Sequence, residues 1–308
     1  MGRSVGPGWD YFKKRMEFIK RKGMIMGKNY RAELTGVFGD PVDGNPTGVM
    51  TEAAYEAMGQ NFRYITMKVT KEDFPDAMRA VKALHMKGVN LTMPHKLNVL
   101  PYLDELSPAA SIIGAVNTIV VREDGTLFGE NTDGKGFIQA LENAGEKVSG
   151  KTITILGAGG AARAIAVEAG LAGAKKITVI NRTGEKAQEL AELIRGNSET
   201  EAAAVAWEDG QKIPADTEIL INATPVGLAP DVGSKPAIDY DTVKEGMVVS
   251  DVVFNPAITP FLEEAAARGA KTVSGLGMLA CQGARNVTLW TGQEAPLELM
   301  EKVLAAEF

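Results

Sequence analysis

The sequence predicts an α/β protein with two sheets, a mixed sheet in the first half of the chain and a doubly wound parallel sheet in the second. Three observations lead to this prediction. From residue 31 onward, strand-like and helix-like segments alternate, which is typical of parallel strands covered by helices. A strand, a glycine turn, a helix and a second strand follow one another after Gly150. The length of 308 residues, 45% of them hydrophobic, suits about two domains.

The first half is predicted as alternating strands and helices followed by a hairpin. The strands fall at 31–39, 63–70 and 89–96, the last running into a loop, and the helices at 49–59 and 74–88. Residues 115–130 instead predict two antiparallel strands joined by an Asp124–Gly125 turn at the sheet edge. The first sheet is therefore expected to be mixed.

The second half continues the alternation to about residue 270. The segments EILINATPVG and MVVSDVVFNP supply the later strands. The segments at 274–292 and 295–308 are predicted as helices without further strands, and we expect them to pack back on the first domain. The predicted domains are thus residues 1–133 completed by 276–308, with 1–30 as a candidate extension, and residues 134–275.

Composition and charge narrow the function classes. The net charge of −6 and the lack of a basic stripe with interleaved aromatic residues argue against a nucleic-acid surface. One cysteine, Cys281, and two histidines, His85 and His95, give no metal cluster and fit a reducing cytoplasm. No run of 18 apolar residues predicts a membrane span. The basic segment 13–31 lacks the pattern of a secretion signal, and we assign it no function.

The glycine turn in LGAGGAARA indicates dinucleotide binding. Gly157, Gly159 and Gly160 stand where a strand runs into a helix, so backbone N–H groups at the helix start can approach a pyrophosphate. The alternative is a purely structural turn. The strand before the turn and the strand after the helix both favour a Rossmann-type dinucleotide-binding domain.

The end of the next strand indicates which dinucleotide is bound. An NAD site usually presents an acidic residue here, but the sequence has Asn181 followed by Arg182 and Lys186. Two cations four residues apart suit a 2′-phosphate, which predicts NADP, with NAD as the alternative. A solvated helix start capped by Thr183 is the structural explanation.

Polar residues close several strand-like runs in the first half. Thr92, Lys96, Asn117 and Asp133 follow such runs, and the carboxyl ends of strands line the ligand crevice of open α/β sheets. We expect these four side chains to converge, although each alone also fits an ordinary loop position. The proline-containing loop DPVDGNPTG at 40–48 is predicted to be rigid and to surround a ligand, with a surface turn as its alternative.

Eight motifs together resemble one family. GDPV, LTMPHK, GAVNTIV, NTDG, LGAGGAARA, NRT, NATPVG and GLGML with a following Gln occur in the order and spacing of the shikimate dehydrogenase family. The resemblance covers residues 34–308, and TLWTGQEAPLE is most similar to the quinate/shikimate branch. It implies an NADP-dependent enzyme that transfers hydride reversibly to or from a carbocyclic hydroxy acid such as shikimate or quinate.

The resemblance also implies roles for individual residues. Lys96 and Asp133 are the implied catalytic pair, and a lysine there can take the hydroxyl proton or stabilise an alkoxide. The implied substrate-binding residues are Asn45, Thr47, Thr92, Asn117 and Gln282. The implied cofactor-binding residues are Gly157, Ala158, Gly159, Gly160, Ala161, Asn181, Arg182, Thr183, Lys186, Thr224, Gly275 and Met278.

Two departures from the family pattern leave the substrate open. Asn45 and Thr47 replace two serines that bind the substrate carboxylate in relatives, and Phe254 replaces a tyrosine. Thr47 keeps a hydroxyl, whereas Asn45 and Phe254 favour a paralogue that acts on a different hydroxylated carboxylate. A non-catalytic sensing module is a third hypothesis, but the presence of Lys96 and Asp133 argues against it. We expect a small-molecule substrate and no nucleic-acid or membrane partner, with a homodimer as a further hypothesis.

Overall fold

The computed structural model describes residues 30–308, so the basic segment at 13–31 lies almost entirely outside the described residues. Two six-stranded sheets with their helices confirm the predicted α/β fold class. Residues Glu33–Phe308 form a compact unit, and the predicted domain boundaries after residues 133 and 275 stay a prediction. No helix between residues 30 and 308 is long and apolar enough to cross a bilayer.

The first sheet is mixed, as predicted. Its strands are β1 (Glu33–Gly39), β2 (Phe62–Lys68), β3 (Gly88–Leu91), β4 (Glu105–Leu106), β5 (Thr118–Val121) and β6 (Leu127–Glu130). They follow the order β2-β1-β3-β5-β6-β4, and β5 pairs antiparallel with both β3 and β6. The hairpin prediction is confirmed, but its place at the sheet edge is wrong, because β4 pairs with β6 outside it. A two-residue strand is too short to show any alternation in the sequence.

Five helices belong to the first half of the described chain. They are α1 (Thr47–Ala57), α2 (Phe74–Ala83), α3 (His95–Asn98), α4 (Pro108–Ile113) and α5 (Thr132–Asn143). α2 ends earlier than the predicted residue 88, because His85 adopts a left-handed backbone conformation with φ 52°. The chain then turns directly into β3.

The second sheet is parallel throughout and doubly wound. Its strands are β7 (Thr152–Leu156), β8 (Lys176–Asn181), β9 (Glu201–Ala206), β10 (Ile219–Asn222), β11 (Val248–Asp251) and β12 (Lys271–Val273), in the order β12-β11-β10-β7-β8-β9. The helices α6 (Gly160–Leu171), α7 (Gly184–Asn197) and α8 (Pro260–Ala266) connect them. The order reverses between β7 and β10, and at such a point α/β sheets open a crevice for ligands.

The last two helices pack on the first sheet, which confirms their predicted position. α9 (Gly275–Thr291) and α10 (Leu297–Ala305) share a buried apolar cluster with α1 and β1. Trp290 donates from its indole N–H to the Ile119 carbonyl oxygen at 2.9 Å. A Cβ at Gly283 would overlap the Met50 side chain, so glycine allows α9 and α1 to approach closely.

α5 lies between the two sheets because two of its glycines permit close packing on both sides. A Cβ at Gly134 would overlap the Ala164 carbonyl oxygen of α6. A Cβ at Gly136 would lie 2.7 Å from the Gln282 backbone nitrogen of α9. The first turn of α5, which carries Asp133, is thereby held where the two halves meet.

Candidate active site

Lys96 and Asp133 form an ion pair. Lys96 lies on the one-turn helix α3 that follows β3, and its Nζ donates to Asp133 Oδ2 at 2.6 Å. Asp133 Oδ1 accepts from Asn117 Nδ2 at 2.8 Å. Asp133 also lies in the first turn of α5, where the helix dipole stabilises a negative charge. The two side chains are 32% and 15% exposed, so the pair is sheltered but reachable by a ligand.

The pair lines a cavity of about 620 Å³. All five predicted substrate-binding residues line the same cavity: Asn45, Thr47, Thr92, Asn117 and Gln282. Three predicted cofactor-binding residues line it as well: Ala161, Gly275 and Met278. The structure therefore brings the polar ends of the first sheet and the rim of the second sheet to one space, as the convergence of strand ends predicts.

The cavity wall carries a balanced charge. Among its described residues, the charged side chains are Lys96 and Asp133, which neutralise each other. The other polar side chains are neutral amides and hydroxyls, and they include Asn90 and Asn255, which the sequence analysis missed. Asn90 is an amide inside the buried strand β3, and that contrast was the signal available in the sequence. Such a wall suits a ligand with several hydroxyl groups.

The 40–48 loop closes one end of the cavity. Asn45 Oδ1 accepts from the Thr47 backbone N–H at 2.9 Å, which leaves the Asn45 amide N–H₂ as its donor group. Thr47, the first residue of α1, is buried, and its side chain lines the cavity together with Val42 and Pro46. The loop therefore lies against the ligand space, as the sequence predicts.

Behind the pair lies a buried polar network. The Thr132 backbone N–H donates to Asn117 Oδ1 at 2.8 Å, and the Thr118 hydroxyl oxygen lies 3.0 Å from the same atom. Asn286 Oδ1 accepts from the hydroxyls of Thr118 and Thr132, each at 2.8 Å. Asn90 Nδ2 adds a bond to Thr118 Oγ1 at 3.0 Å. These bonds fix Asn117, and through it Asp133, in one orientation.

The backbone of the glycine turn leaves room for an anion at the start of α6. Gly157 has φ 106°, which only glycine adopts readily, and its N–H donates to the Ile180 carbonyl at 2.7 Å. A Cβ at Gly159 or Gly160 would meet no protein atom within 4 Å. The start of α6 therefore opens on free space, where a pyrophosphate can approach its backbone N–H groups. The residues present fit a dinucleotide.

The residues after β8 are placed at the surface beside this turn. Arg182 and Lys186 are exposed, and neither forms an ion pair with any residue between 30 and 308. Asn181 Nδ2 donates to the Thr183 carbonyl at 2.9 Å, and no side-chain hydrogen bond from Thr183 caps α7. Thr224 lies next to Gly157 of the turn, and its hydroxyl donates to Asn222 Oδ1 at 2.6 Å. The two cations are thus available to a ligand.

His95 and Cys281 are buried in contacts outside the catalytic cavity. His95 is buried, its Nε2 bonds to the Val69 carbonyl at 2.7 Å, and its ring stacks on Phe74 with centroids 4.3 Å apart. Cys281 is buried, and burial raises the pKa of its thiol to about 12. No group of three or more His, Cys, Asp or Glu side chains within the described range could hold a metal ion.

Ala161, which follows the glycine turn, lines the same cavity as the lysine–aspartate pair. A dinucleotide on the turn and a pair that can move a proton can therefore act on one substrate. This combination defines a nicotinamide-dependent oxidoreductase.

Comparison with known proteins defines the family. The model of the shikimate dehydrogenase substrate-binding domain matches residues 37–119, that of shikimate/quinate 5-dehydrogenase matches 139–254, and that of the shikimate 5′-dehydrogenase C-terminal domain matches 275–305. A shikimate dehydrogenase (NADP(+)) of Desulforamulus reducens is 42% identical over 90% of this chain and 96% of its own length. The chain belongs to the shikimate dehydrogenase family.

Solved structures agree with this assignment. The ligand-free 5-ketofructose reductase of Gluconobacter sp. is 43% identical, with a TM-score of 0.87 over 91% of this chain and 100% of that one. The shikimate 5-dehydrogenase of Listeria monocytogenes, in complex with shikimate and NAD, is 36% identical. Its TM-score is 0.86, and the match covers 91% of this chain and 99% of that one. The predictions of the family, the fold class and an NADP-dependent oxidoreductase are confirmed.

Proposed function

We propose that this enzyme interconverts shikimate and 3-dehydroshikimate, or quinate and 3-dehydroquinate, with NADP as the hydride carrier. The observation that carries the proposal is the Lys96–Asp133 pair, 2.6 Å apart, in a cavity that Ala161, Gly275 and Met278 also line. The assignment of these residues rests on their shared cavity and on the family match.

In the oxidation, the substrate carbon loses a hydride and its hydroxyl loses a proton. NADP⁺, when bound, accepts the hydride. Lys96 Nζ has two donors left after its bond to Asp133, so it can hold the substrate oxygen and stabilise its developing negative charge. Lys96 passes one of its own protons to the Asp133 carboxylate as it takes the hydroxyl proton, and Asp133 then releases a proton to solvent. In the reduction, Lys96 delivers the proton to the oxygen.

The cofactor site follows from the glycine turn. Gly157, Ala158, Gly159 and Gly160 surround the pyrophosphate, which the N-terminal N–H groups of α6 bind. Arg182 and Lys186, with Asn181 and Thr183 beside them, hold the 2′-phosphate, and Thr224 borders the turn. Gly275 and Met278, which line the cavity, would border the nicotinamide. NADP is thus favoured over NAD by the two unpaired cations.

The substrate site uses the amides and hydroxyls of the cavity wall. Thr92, Asn117 and Gln282 bind ring hydroxyls, and Asn45 and Thr47 bind the group at the opposite end of the ring. In shikimate that group is a carboxylate, and the donors for it are the Asn45 amide and the Thr47 hydroxyl.

An uncharged polyhydroxy ketone is the second candidate substrate. The similarity to the Gluconobacter 5-ketofructose reductase favours it, and so do the amide at Asn45 and the phenyl ring at Phe254. An amide offers both a donor and an acceptor, which suits a hydroxyl better than a carboxylate that only accepts. A hydroxylated carboxylate other than shikimate or quinate is the third candidate substrate.

An assay panel tests the proposal. Absorbance of the reduced nicotinamide is followed with NADP and NAD against shikimate, quinate and simple hydroxy acids, and with NADPH against neutral polyhydroxy ketones. We expect turnover of a cyclic acid with NADP; turnover of neutral ketones alone would support the second candidate instead. Where shikimate is turned over, Asn45→Ser should raise kcat/KM for it by about tenfold, or about 1.4 kcal/mol, the scale of one hydrogen bond to a charged group. A fall would show that Asn45 already suits shikimate.

We also propose a cytoplasmic location, because the single buried Cys281 has no disulfide partner in the sequence and suits a reducing compartment. A homodimer stays a hypothesis that light scattering of the purified protein can test.

A further inference from the structure

Asn286 is hydrogen-bonded to several members of the buried polar network. It lies one helical turn after Gln282 on α9 and is 1% exposed, and it does not line the catalytic cavity. Its Oδ1 accepts hydrogen bonds from the hydroxyls of Thr118 and Thr132, each at 2.8 Å, and its Nδ2 donates to Gln282 Oε1 at 3.1 Å. A buried amide with both oxygen lone pairs in use is held in one orientation.

This orientation determines what Gln282 can offer to a ligand. Gln282 Oε1 is taken by Asn286, and one Nε2 hydrogen is taken by the Leu279 carbonyl at 3.0 Å. The group that remains for the cavity is the second Nε2–H, which is a donor. Without Asn286, the carboxamide keeps its bond to the Leu279 carbonyl but loses the contact on its oxygen side, so the donor is held less firmly in the cavity.

Asn286 is also connected to Asp133 through Thr132 and Asn117. Thr132, whose hydroxyl donates to Asn286, directly precedes Asp133 in α5. The Thr132 backbone N–H donates to Asn117 Oδ1, and Asn117 Nδ2 donates to Asp133 Oδ1. One side chain on α9 therefore joins the position of Gln282 to the frame that holds the catalytic pair.

We infer that Asn286 is a positioning residue that sets Gln282 as a hydrogen-bond donor to a substrate oxygen. The inference rests on the proposed function, which places Gln282 at the substrate. Because Asn286 acts through Gln282, its loss should weaken substrate binding much more than hydride transfer or NADP binding.

A double-mutant cycle tests this coupling. The four proteins are wild type, Asn286→Ala, Gln282→Ala and the double variant, assayed with the best substrate of the panel. We expect Asn286→Ala to raise the substrate KM by about tenfold, with kcat changed by less than about threefold and the KM for NADP unchanged. In the Gln282→Ala background, the same change should alter the substrate KM by less than about twofold.

Two further variants keep the test independent of folding. Asn286→Asp has the same size and keeps acceptor oxygens for Thr118 and Thr132, but loses the amide donor to Gln282, so the substrate KM should rise as in Asn286→Ala. Cys281→Ala changes a buried neighbour of Gln282 that does not line the cavity, and it should keep the wild-type KM.

Two results would overturn the inference. One is an equal rise in KM in both Gln282 backgrounds, and the other is a wild-type KM in Asn286→Asp. Absence of wild-type turnover on the whole panel would overturn the proposed function and this inference with it. If wild type is active but the Asn286 and Gln282 substitutions act additively on the substrate KM, this inference alone is overturned.

Discussion

Lys96 is positioned by its partners rather than by deep burial. Its Nζ bonds to Asp133 Oδ2, while Asn117 and the start of α5 hold the Asp133 carboxylate from the other side. The ammonium therefore points to the cavity at a defined place, and its charge is balanced before substrate arrives. This arrangement suits a step in which negative charge develops on a substrate oxygen.

Replacement of Lys96 should therefore affect the chemical step. Lys96→Ala should lower kcat by about 100-fold or more and leave the affinity for NADP unchanged, because the lost contact is made mainly in the transition state. Steady-state kinetics and a fluorescence titration of NADPH measure the two quantities. Lys82→Ala, at the exposed end of α2, serves as the matched control. Near-normal kcat in Lys96→Ala would remove this residue from the mechanism.

Arg182 should determine the choice of cofactor. A guanidinium on the 2′-phosphate has no equivalent contact in NAD, so Arg182→Ala should raise the KM for NADP by about tenfold or more and change that for NAD little. Arg195→Ala, on the helix α7 that follows Arg182 and also exposed, is the control. Equal losses with both cofactors would show that Arg182 only supports the fold.

The sequence predicts those site residues that close strands. Lys96 and Asp133 were predictable because β3 and β6 run in the same direction and bring their carboxyl ends to one edge. Asn117 was predicted to close a strand, but it directly precedes β5, whose amino end lies at the same edge because β5 runs antiparallel to β3. Asn90 and Asn286 were not predictable, because the first is a polar residue inside a strand and the second lies on a helix whose packing partner is far away in the sequence. Their contacts depend on tertiary packing, which no local pattern encodes.

At the scale of elements, the segment after β11 is anchored by a buried carboxylate. Asp251 accepts hydrogen bonds from Asn222 Nδ2, the Val253 N–H and Thr259 Oγ1, at 2.7–2.9 Å. These bonds join β11 to β10 and to the start of α8, and they hold the loop that carries Phe254 to the cavity. Burial outweighs the hydrogen bonds and raises the pKa of Asp251 to about 6.

This raised pKa predicts a pH-dependent stability. Because the folded-state pKa of Asp251 lies above its unfolded value near 3.8, the folded protein loses stability as pH rises from about 4 through about 6. The expected loss is about 3 kcal/mol in the free energy of unfolding. Urea denaturation of wild type and Asp251→Asn at several pH values isolates this contribution, since asparagine does not titrate. A difference between the two proteins that stays constant from pH 4 to 7 would contradict it.

The elements themselves were largely predictable from hydrophobic periodicity. The alternation of strands and helices gave both sheets, and the Asp124–Gly125 turn gave the hairpin. The end of α2 and the strand β4 were not predictable, because a single left-handed residue at His85 and a two-residue pairing leave no periodic pattern.

At the scale of the whole molecule, two helices connect the halves at the catalytic cavity. α5 carries Asp133 and packs against α6 of the dinucleotide-binding half through Gly134. α9 begins with Gly275 and Met278 near the cofactor turn and continues past Gln282 on to the first sheet. The proposed substrate side and the proposed cofactor side therefore share structural elements, so a change in the packing of either helix should affect both.

The central claim is that substrate and cofactor meet in the cavity of Lys96 and Asp133. A crystal structure with NADP⁺ and the best substrate of the panel tests it most directly. The account predicts the reacting hydroxyl within hydrogen-bond distance of Lys96 Nζ, the pyrophosphate on the turn at Gly157–Gly160 and the nicotinamide against Met278. A substrate bound away from Lys96, or a nicotinamide that does not reach the cavity, would contradict the account.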